Sequence, residues 1–472
     1  MPRRPQALAA PSPLPRIPLS PRAPAHRAPA HRAPAHRVPA RLLSTLALAA
    51  TLGLLAGSFV PATAVICATD HVPGATLLLP YFEVDLNNPN GLTTLFSINN
   101  ASATAILTHV VVWSDLAVAV LAFDVYLTGF DVQTINLRDI IVYGNLPQTG
   151  SAGQDPTDTI SPKGIFSQDI NFTSCNGELP LPPLPAFFVS HLRNALTGLP
   201  SPVLANQCAG QNLGDNVARG YVTADTVNRC STAYPGDPGY FAPNGTGTVT
   251  DQNVLWGSWY IINATKGYAE GSDMVAIEAD GNNPATSSPG RYTFYGRYDG
   301  WTAVDHREPL ATTLATQYAD GGAFNGGTDL LVWRDSKVNQ GPFPCPALAN
   351  QNPPWYPMAQ EGTVIFDEEE HGVIPGLCGE FPCLAPPPPF IPFPAAAQRV
   401  RVGSAALAVP FSFGWLYLDL NNTVASAGPN PPVDPAAQQA WVVATQSSNL
   451  RFAVALDAFR LDDACAANHF VP

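Results

Sequence analysis

The chain has 472 residues, of which 46% are hydrophobic and only 12% are charged, and its net charge is -13 with histidine neutral. This length is enough for two or three domains that each bury a core. The acidic balance excludes nucleic acid and anionic membrane surfaces as general partners, because both require a basic face.

The N-terminal region has the composition of an export leader. Residues 1–41 are a low-complexity tract of Pro, Ala, Arg and His, which cannot bury a core. Residues 42–64 follow as an uncharged apolar run that ends in PATA, the order of a secretory signal and its cleavage site. A transmembrane anchor is the alternative, although the run is only just long enough to span a bilayer. We also hypothesise a later translation start, at Val38, which would leave a short basic region before the apolar run.

Export changes how the rest of the chain is interpreted. We expect the mature chain to start near Val65, to be secreted or held at the periplasm or cell surface, and to have no stable membrane insertion. Residues 1–64 hold eight of the 23 basic residues and no acids, so 15 bases remain against 36 acids and the net charge falls to about -21. An even set of cysteines in an oxidising compartment predicts disulfides. The eight positions are Cys67, Cys175, Cys208, Cys230, Cys345, Cys378, Cys383 and Cys465.

The pairing of these cysteines stays open at the level of sequence. A bridge between Cys67 and Cys465 would tie down the two ends of the mature chain. The three cysteines between residues 175 and 230 flank loop-like sequence that needs cross-links. Zinc at Cys378 and Cys383 is a weaker alternative, because no second cysteine pair and no histidine lies at a suitable spacing.

Alternation of apolar and polar residues predicts five short strands between Leu77 and Ile141. Residues 91–99 and 132–137 alternate, whereas residues 104–113 are apolar on both faces and are expected in the middle of a sheet. Residues 65–145 are therefore predicted to supply β-sandwich strands.

Residues 146–250 change character, being rich in Pro, Gly, Asn and Cys, and we predict an irregular insertion. A single helix is expected over residues 186–197, with Pro185 before it and Gly198 after it. Residues 251–472 are predicted as a second β-rich region whose C-terminal strands complete the first sandwich. The expected strands are residues 254–262, 274–278, 292–298, 329–334, 362–366, 399–402 and 414–420, followed by a hairpin over 441–461. The prolines at 386–389 indicate a surface excursion.

The predicted fold is all-β, with antiparallel β-sandwiches of immunoglobulin-like or jelly-roll-like type, long Pro/Gly-rich loops, one short helix and disulfides. The strand spacing over residues 75–142 resembles that of immunoglobulin-like modules of bacterial surface proteins. This resemblance concerns architecture and implies no activity.

Two acidic segments are candidate cation sites, and calcium is the one cofactor that they favour. Asp85, Asn87 and Asn90 could converge on an ion before Gly91, although Asn, Pro and Gly are also what a strand connection needs. The run of acids over residues 367–370 follows a predicted strand, and its successive carboxylates would point to opposite faces. We therefore interpret the second segment as a solvated strand end.

Catalytic motifs are absent from the sequence. There is no G-x-S-x-G elbow, and the histidines do not have the spacing of zinc hydrolases. His109 lies in a predicted strand and is interpreted as a hydrogen-bonded core residue. A pair of carboxylates for glycoside hydrolysis stays open, because such partners meet only in the folded chain.

Aromatic residues on loops are the better lead to a ligand. Trp355 and Tyr356 lie between prolines, and Trp301 follows a predicted Asp-Gly turn, so these rings could stack on a sugar or on a partner. Local packing onto the sheet is the alternative for all three. The tryptophans at 113, 333, 415 and 441 fall in predicted strands and are expected in the core.

Three classes of function are consistent with these features. A structural or adhesive surface protein that is not an enzyme comes first, because export, β architecture and missing catalytic motifs all favour it. A carbohydrate-binding module or a glycoside hydrolase comes second, and a calcium-dependent surface module third. The expected partners are glycans or proteins of a cell surface or matrix.

Overall fold

The computed structural model describes residues 72–243, 246–289, 292–336, 341–345, 353, 355–375, 390–421, 439–448 and 452–461. The predictions for the leader, the signal segment, Cys67, Cys378, Cys383, Cys465 and the prolines at 386–389 lie outside these residues.

The described part of the chain is built mostly from antiparallel β-strands. The strands are β1 (Thr76–Asp85), β2 (Leu92–Asn100), β3 (Ile106–Ser114), β4 (Ala119–Leu127), β5 (Val132–Asn136), β6 (Val217–Val227), β7 (Leu255–Trp256), β8 (Ser258–Asn263), β9 (Tyr268–Asp273), β10 (Val275–Ile277), β11 (Thr313–Ala319), β12 (Gly327–Arg334), β13 (Gly362–Phe366), β14 (Gly372–Val373), β15 (Ala397–Arg401), β16 (Phe413–Asp419), β17 (Ala440–Ser448), β18 (Phe452–Asp457) and β19 (Phe459–Arg460). The α-helices are α1 (Leu137–Ile141), α2 (Ala186–Leu196), α3 (Pro284–Ser287) and α4 (Gly296–Asp299).

These strands form four sheets. Sheet 1 has the order β10-β1-β6-β3-β4, and sheet 2 has the order β5-β2-β8-β9 with β7 beside β2. Sheet 3 has the order β15-β12-β17-β18, and sheet 4 has the order β14-β13-β16-β11-β19. The predicted all-β fold with antiparallel strands is confirmed.

Sheet 1 is the buried centre of the N-terminal half. Every residue of β3 is buried, and β3 lies between β4 and β6, as its apolar residues on both faces predict. The core on sheet 1 continues into sheet 2 through Phe96 and Ile98 of β2. Burial explains why β1, β3 and β4 of sheet 1 are near-continuous apolar runs.

Strand β12 lies between two cores. Leu331 and Trp333 belong to the large core that contains sheet 1, whereas Leu330 and Val332 belong to a second core with sheet 4. Successive side chains of a strand point to opposite faces, so one strand serves both cores. Sheet 3 is therefore a shared layer of the fold.

The helix predicted over residues 186–197 is confirmed as α2. Its Leu192, Ala195 and Leu196 are buried, and the Nε2 of His191 donates to the carbonyl of Val120 in β4. The helix therefore packs against β4 and β6 of sheet 1.

Two differences from the sequence predictions concern buried polar residues. Strand β6 pairs with both β1 and β3 in the middle of sheet 1, although it falls in the range predicted as irregular. The strand predicted over residues 292–298 is wrong, because this segment forms a turn and helix α4. Here the buried carboxylate of Asp305 accepts hydrogen bonds from the hydroxyl of Thr293 and, at 2.7 Å, from the N–H of Tyr295. These bonds hold the segment as a loop, so it does not pair with a neighbouring strand.

Two disulfides cross-link the loops around sheet 1. They join Cys175 to Cys230 and Cys208 to Cys345, closing segments with sequence separations of 55 and 137. Every cysteine among the described residues is bridged. Closing such long segments restricts the unfolded chain, which stabilises the fold by roughly 4 kcal/mol for each bridge.

Candidate functional site

The predicted cation ligands at residues 85–90 form a hydrogen-bonded turn after β1. The carboxylate of Asp85 accepts the N–H groups of Asn87 and Asn88, both at 3.0 Å. The side chain of Asn88 accepts the N–H of Asn90 at 3.0 Å. These bonds are those of side chains that shape a strand connection.

The main-chain carbonyl oxygens of this turn all point to one side, and the side chain of Arg138 lies there. The guanidinium of Arg138 donates to the main-chain oxygens of Asp85 at 2.9 Å, Asn88 at 2.6 Å and Leu92 at 2.6 Å. Among the described residues, no group of three or more His, Cys, Asp and Glu side chains is placed to hold a metal ion. The geometry favours a turn held by Arg138, and the calcium site stays a prediction.

The acidic run after β13 also folds back on itself. The carboxylate of Asp367 accepts the N–H groups of Glu369 and His371, each at 2.8 Å, and also contacts the Nδ1 of His371 at 2.8 Å. These bonds, with the His371 side chain beside the carboxylate, lower the pKa of Asp367. The segment is the capped turn between β13 and β14.

Of the three loop aromatics predicted to stack on a ligand, Trp301 is buried. Its ring is 2% exposed and stacks on Tyr292 with 5.3 Å between centroids. Gly296 lies against the ring, and a Cβ there would come within 2.7 Å of it. These contacts agree with the alternative of local packing for Trp301, and a ligand stacked on its ring stays a prediction.

The other two loop aromatics are partly buried and anchor a junction of loops. The Nε1 of Trp355 donates to the carbonyl of Leu116 at 3.2 Å, and its ring meets Phe343 edge to face. The hydroxyl of Tyr356 donates to the side-chain oxygen of Gln211 at 3.4 Å. Both polar tips are therefore engaged with the protein itself.

Asp115 lies at the centre of this junction. Its buried carboxylate accepts the N–H of Gln211 at 3.1 Å, and its main-chain oxygen accepts the N–H groups of Ala396 and Ala397 at 3.0 Å. Burial raises the pKa of Asp115 to about 7. Gly210 is required here, because a Cβ would lie 2.7 Å from the carboxylate. A small cavity of about 150 Å³ opens beside Gln211 and is lined by residues 211–217 with Thr197 and Leu199.

A pair of buried carboxylates does exist, but an arginine links them. The guanidinium of Arg399 contacts Glu83 at 3.1 Å and bonds to Glu270, and it reaches Asp329 at 3.4 Å. These acids come from β1, β9 and β12, so the network joins strands from three of the sheets. Because the guanidinium of Arg399 lies between them, the two glutamates form ion pairs that hold β1 and β9 together.

His109 is a buried core residue, as the sequence predicts. Its Nδ1 lies 2.7 Å from the carboxylate of Asp124 on β4, and its Nε2 lies 2.8 Å from the carbonyl of Ala233. Its two ring nitrogens are both occupied by the protein, so His109 holds strands and a loop together.

The outer face of sheet 2 is a candidate surface for a ligand or partner. Residues directly opposite in an antiparallel pair share a face. The strand register therefore assembles this outer face from Val132, Thr134, Asn136, Thr93, Leu95, Ser97, Asn99, Trp256, Ser258, Tyr260, Ile262, Ala269, Gly271 and Asp273. Among these residues, Asp273 at the β9 margin is the one that carries a charge.

Two large aromatic rings stand on this face. Trp256 is 49% exposed and Tyr260 is 51% exposed. The ring of Tyr260 lies over Gly271 of β9, where a Cβ would come within 2.6 Å of the ring. This packing fixes one side of the ring and leaves the other side to solvent.

Further apolar side chains extend the outer face at one end. Val132 lies opposite Asn99 and is 53% exposed, and Phe130 just before it is 56% exposed. The N–H of Gly129 donates to the carbonyl of Gln168, which brings up a loop whose Ile165 and Phe166 are 92% and 80% exposed. Exposed apolar side chains that form a patch are found at interaction surfaces of folded proteins.

Sequence reasoning did not identify this face, although the strand over residues 254–262 was predicted. Residues Trp256, Ser258 and Tyr260 share a face by alternation, but the opposite face carries Leu255, Trp259 and Ile261. Both faces of the strand are apolar, so the pattern alone does not show which one meets solvent.

Comparison with known protein families, with characterised proteins and with solved structures gave no match. None of the helices among the described residues is long and apolar enough to cross a membrane.

Proposed function

We propose that this chain is an exported surface protein of adhesive or structural type, and that it attaches to its partner through the outer face of sheet 2. The observation that supports this proposal is the pair of half-exposed rings, Trp256 and Tyr260, on a nearly uncharged sheet surface. Leaving a large side chain in water forgoes roughly 2 kcal/mol of burial free energy. Two such rings on one rigid face are best explained by a partner that covers them.

Export is supported by the signal-like segment over residues 42–64 and by the two disulfides, which persist in oxidising compartments. A rigid sheet is a suitable base for attachment, because side chains on strands are held more accurately than side chains on loops. The buried ionic network around Arg399 adds stiffness behind this sheet by joining β9 to β1 and β12.

The test is retention of the protein on the cells that produce it after a mild wash. The double variant Trp256→Ala/Tyr260→Ala removes both rings, and Tyr143→Ala is a matched control because Tyr143 is 52% exposed but lies outside the face. We expect the wild-type chain and the control to stay with the cell or matrix fraction and the double variant to appear in the wash. Complete release of the wild-type chain would contradict the proposal.

A further inference from the structure

We infer that the ligand of the outer face is a neutral polysaccharide, whose sugar rings stack on Trp256 and Tyr260 and whose hydroxyls bond to the amide and hydroxyl groups between them. This inference rests on the proposed attachment function and names the partner that the attachment uses.

The charge of the outer face favours an uncharged ligand. The chain has 36 acidic residues, yet the strand register brings one of them, Asp273, to the margin of this face. Among the described residues that the register assigns to this face, none is a lysine or an arginine, so an acidic partner would find no ion pair with them and a basic partner would find few. A neutral glycan requires neither, because it binds through C–H groups over aromatic rings and through hydroxyl hydrogen bonds.

The two rings are spaced for a chain of sugars. Trp256 and Tyr260 lie four residues apart along the same edge of β2, which places their Cα atoms about 13 Å apart at the rise of a β-strand. This separation exceeds the width of one pyranose ring and is within reach of a short oligosaccharide. A linear glycan lying along the strand would therefore contact both rings at once.

Polar groups fill the space between the rings. The hydroxyls of Ser97 and Ser258 lie 3.5 Å apart, and the N–H of Ser258 donates to the Ser97 hydroxyl at 3.3 Å. Hydroxyl groups both donate and accept, so they match the hydroxyls of a sugar in either direction. The arrangement of ring, hydroxyls and ring is chemically complementary to a glycan.

Asn99 provides a second, independent observation. Its side chain is 98% buried, its Nδ2 donates to the hydroxyl of Ser97 at 3.2 Å, and its Oδ1 has no hydrogen-bond partner among the described residues. The register places it between Val132 and Trp256 on the outer face. A buried acceptor without a donor is unfavourable, and a hydroxyl donated by a ligand on this face would satisfy it.

The test is a binding assay of the folded chain on defined polysaccharides. The probes are insoluble cellulose, chitin, starch and mannan as neutral chains, with polygalacturonate and heparin as anionic comparators. We expect saturable binding to at least one neutral polysaccharide and none to the anionic ones. Trp256→Ala and Tyr260→Ala should each weaken binding at least tenfold, whereas Tyr143→Ala should bind as the wild type does. Near-ultraviolet circular dichroism checks that each variant is folded.

The remaining outcomes separate this inference from the attachment proposal. If no neutral polysaccharide binds while the double variant is still lost from the cell surface, the glycan inference is overturned and attachment through the face stands. Concentration-dependent sedimentation that disappears in the double variant would then identify a second copy of the chain as the occupant. If binding occurs but is the same in the Trp256 and Tyr260 variants, the assignment of the site is overturned.

Discussion

Replacing Asp115 by asparagine tests whether its burial is as costly as the structure indicates. Burial raises the pKa of Asp115 from an ordinary 3.8 to about 7. Between these two pH values the unfolded chain has lost the proton and the folded chain keeps it. Stability contributed by the neutral carboxyl is therefore present in full below pH 4 and is lost as the pH rises through 7. A difference of about three pKa units corresponds to about 4 kcal/mol.

The asparagine variant has no proton to lose at this position and keeps an oxygen that can accept the N–H of Gln211. We expect it to be equal to the wild type or less stable by about 1 kcal/mol at pH 4, since one amide hydrogen gains no partner. At pH 8 it should be more stable than the wild type by about 3 kcal/mol.

The measurement is urea unfolding of both proteins at several pH values with the disulfides intact. Asp158→Asn, at an exposed loop position, is the control and should show the same difference from the wild type at every pH. A stability difference between Asp115→Asn and the wild type that does not change between pH 4 and pH 8 would refute the reasoning.

Three further predictions concern the framework around the outer face. Arg399→Met should lower the free energy of unfolding by about 3 kcal/mol, because it leaves buried carboxylates uncompensated; equal urea midpoints for variant and wild type would contradict this. The double variant Cys175→Ser/Cys230→Ser should lower it by 2–5 kcal/mol, roughly the contribution of a native disulfide, and an unchanged thermal midpoint would count against a structural bridge. Addition of a chelator should leave the thermal midpoint unchanged, because Arg138 already occupies the carbonyl oxygens of the turn at residues 85–90; a fall that calcium reverses would instead support a metal site there.

The β architecture could be predicted from sequence because β2 and β5 of sheet 2 follow a period of two. The two apolar faces of β3 already indicate a central position, and the isolated helix α2 has a proline before it and a glycine after it. These signals are local, since each depends on residues within one segment.

Strand β6 could not be predicted in the same way because its buried residues are partly polar. Asp225 is fully buried on this strand, where Thr76 and Tyr240 donate hydroxyl hydrogen bonds to it at 2.5 and 2.7 Å. Arg307 lies 3.7 Å from the same carboxylate. These partners are distant in sequence, and without them an aspartate argues against a central strand.

The exposed aromatic residues of the candidate site could not be predicted either, because their exposure depends on contacts between residues that are far apart in the sequence. The rings of Trp355 and Tyr356 pack against a loop junction, and Trp301 is enclosed by its own loop. The exposed rings belong to β7 and β8, where the pairing with β2 and β9 decides which face is open. Sequence alternation can group Trp256 with Tyr260, but only the packing of sheets shows that they face solvent.

The most direct test of attachment through the outer face is hydroxyl-radical footprinting of the folded chain, free and bound to isolated cell envelope or matrix. We predict that labelling of Trp256 and Tyr260 falls on binding, while labelling of Tyr143 and of Phe452, which are equally exposed elsewhere, stays the same. Unchanged labelling of Trp256 and Tyr260 in a fraction that is bound would contradict the account.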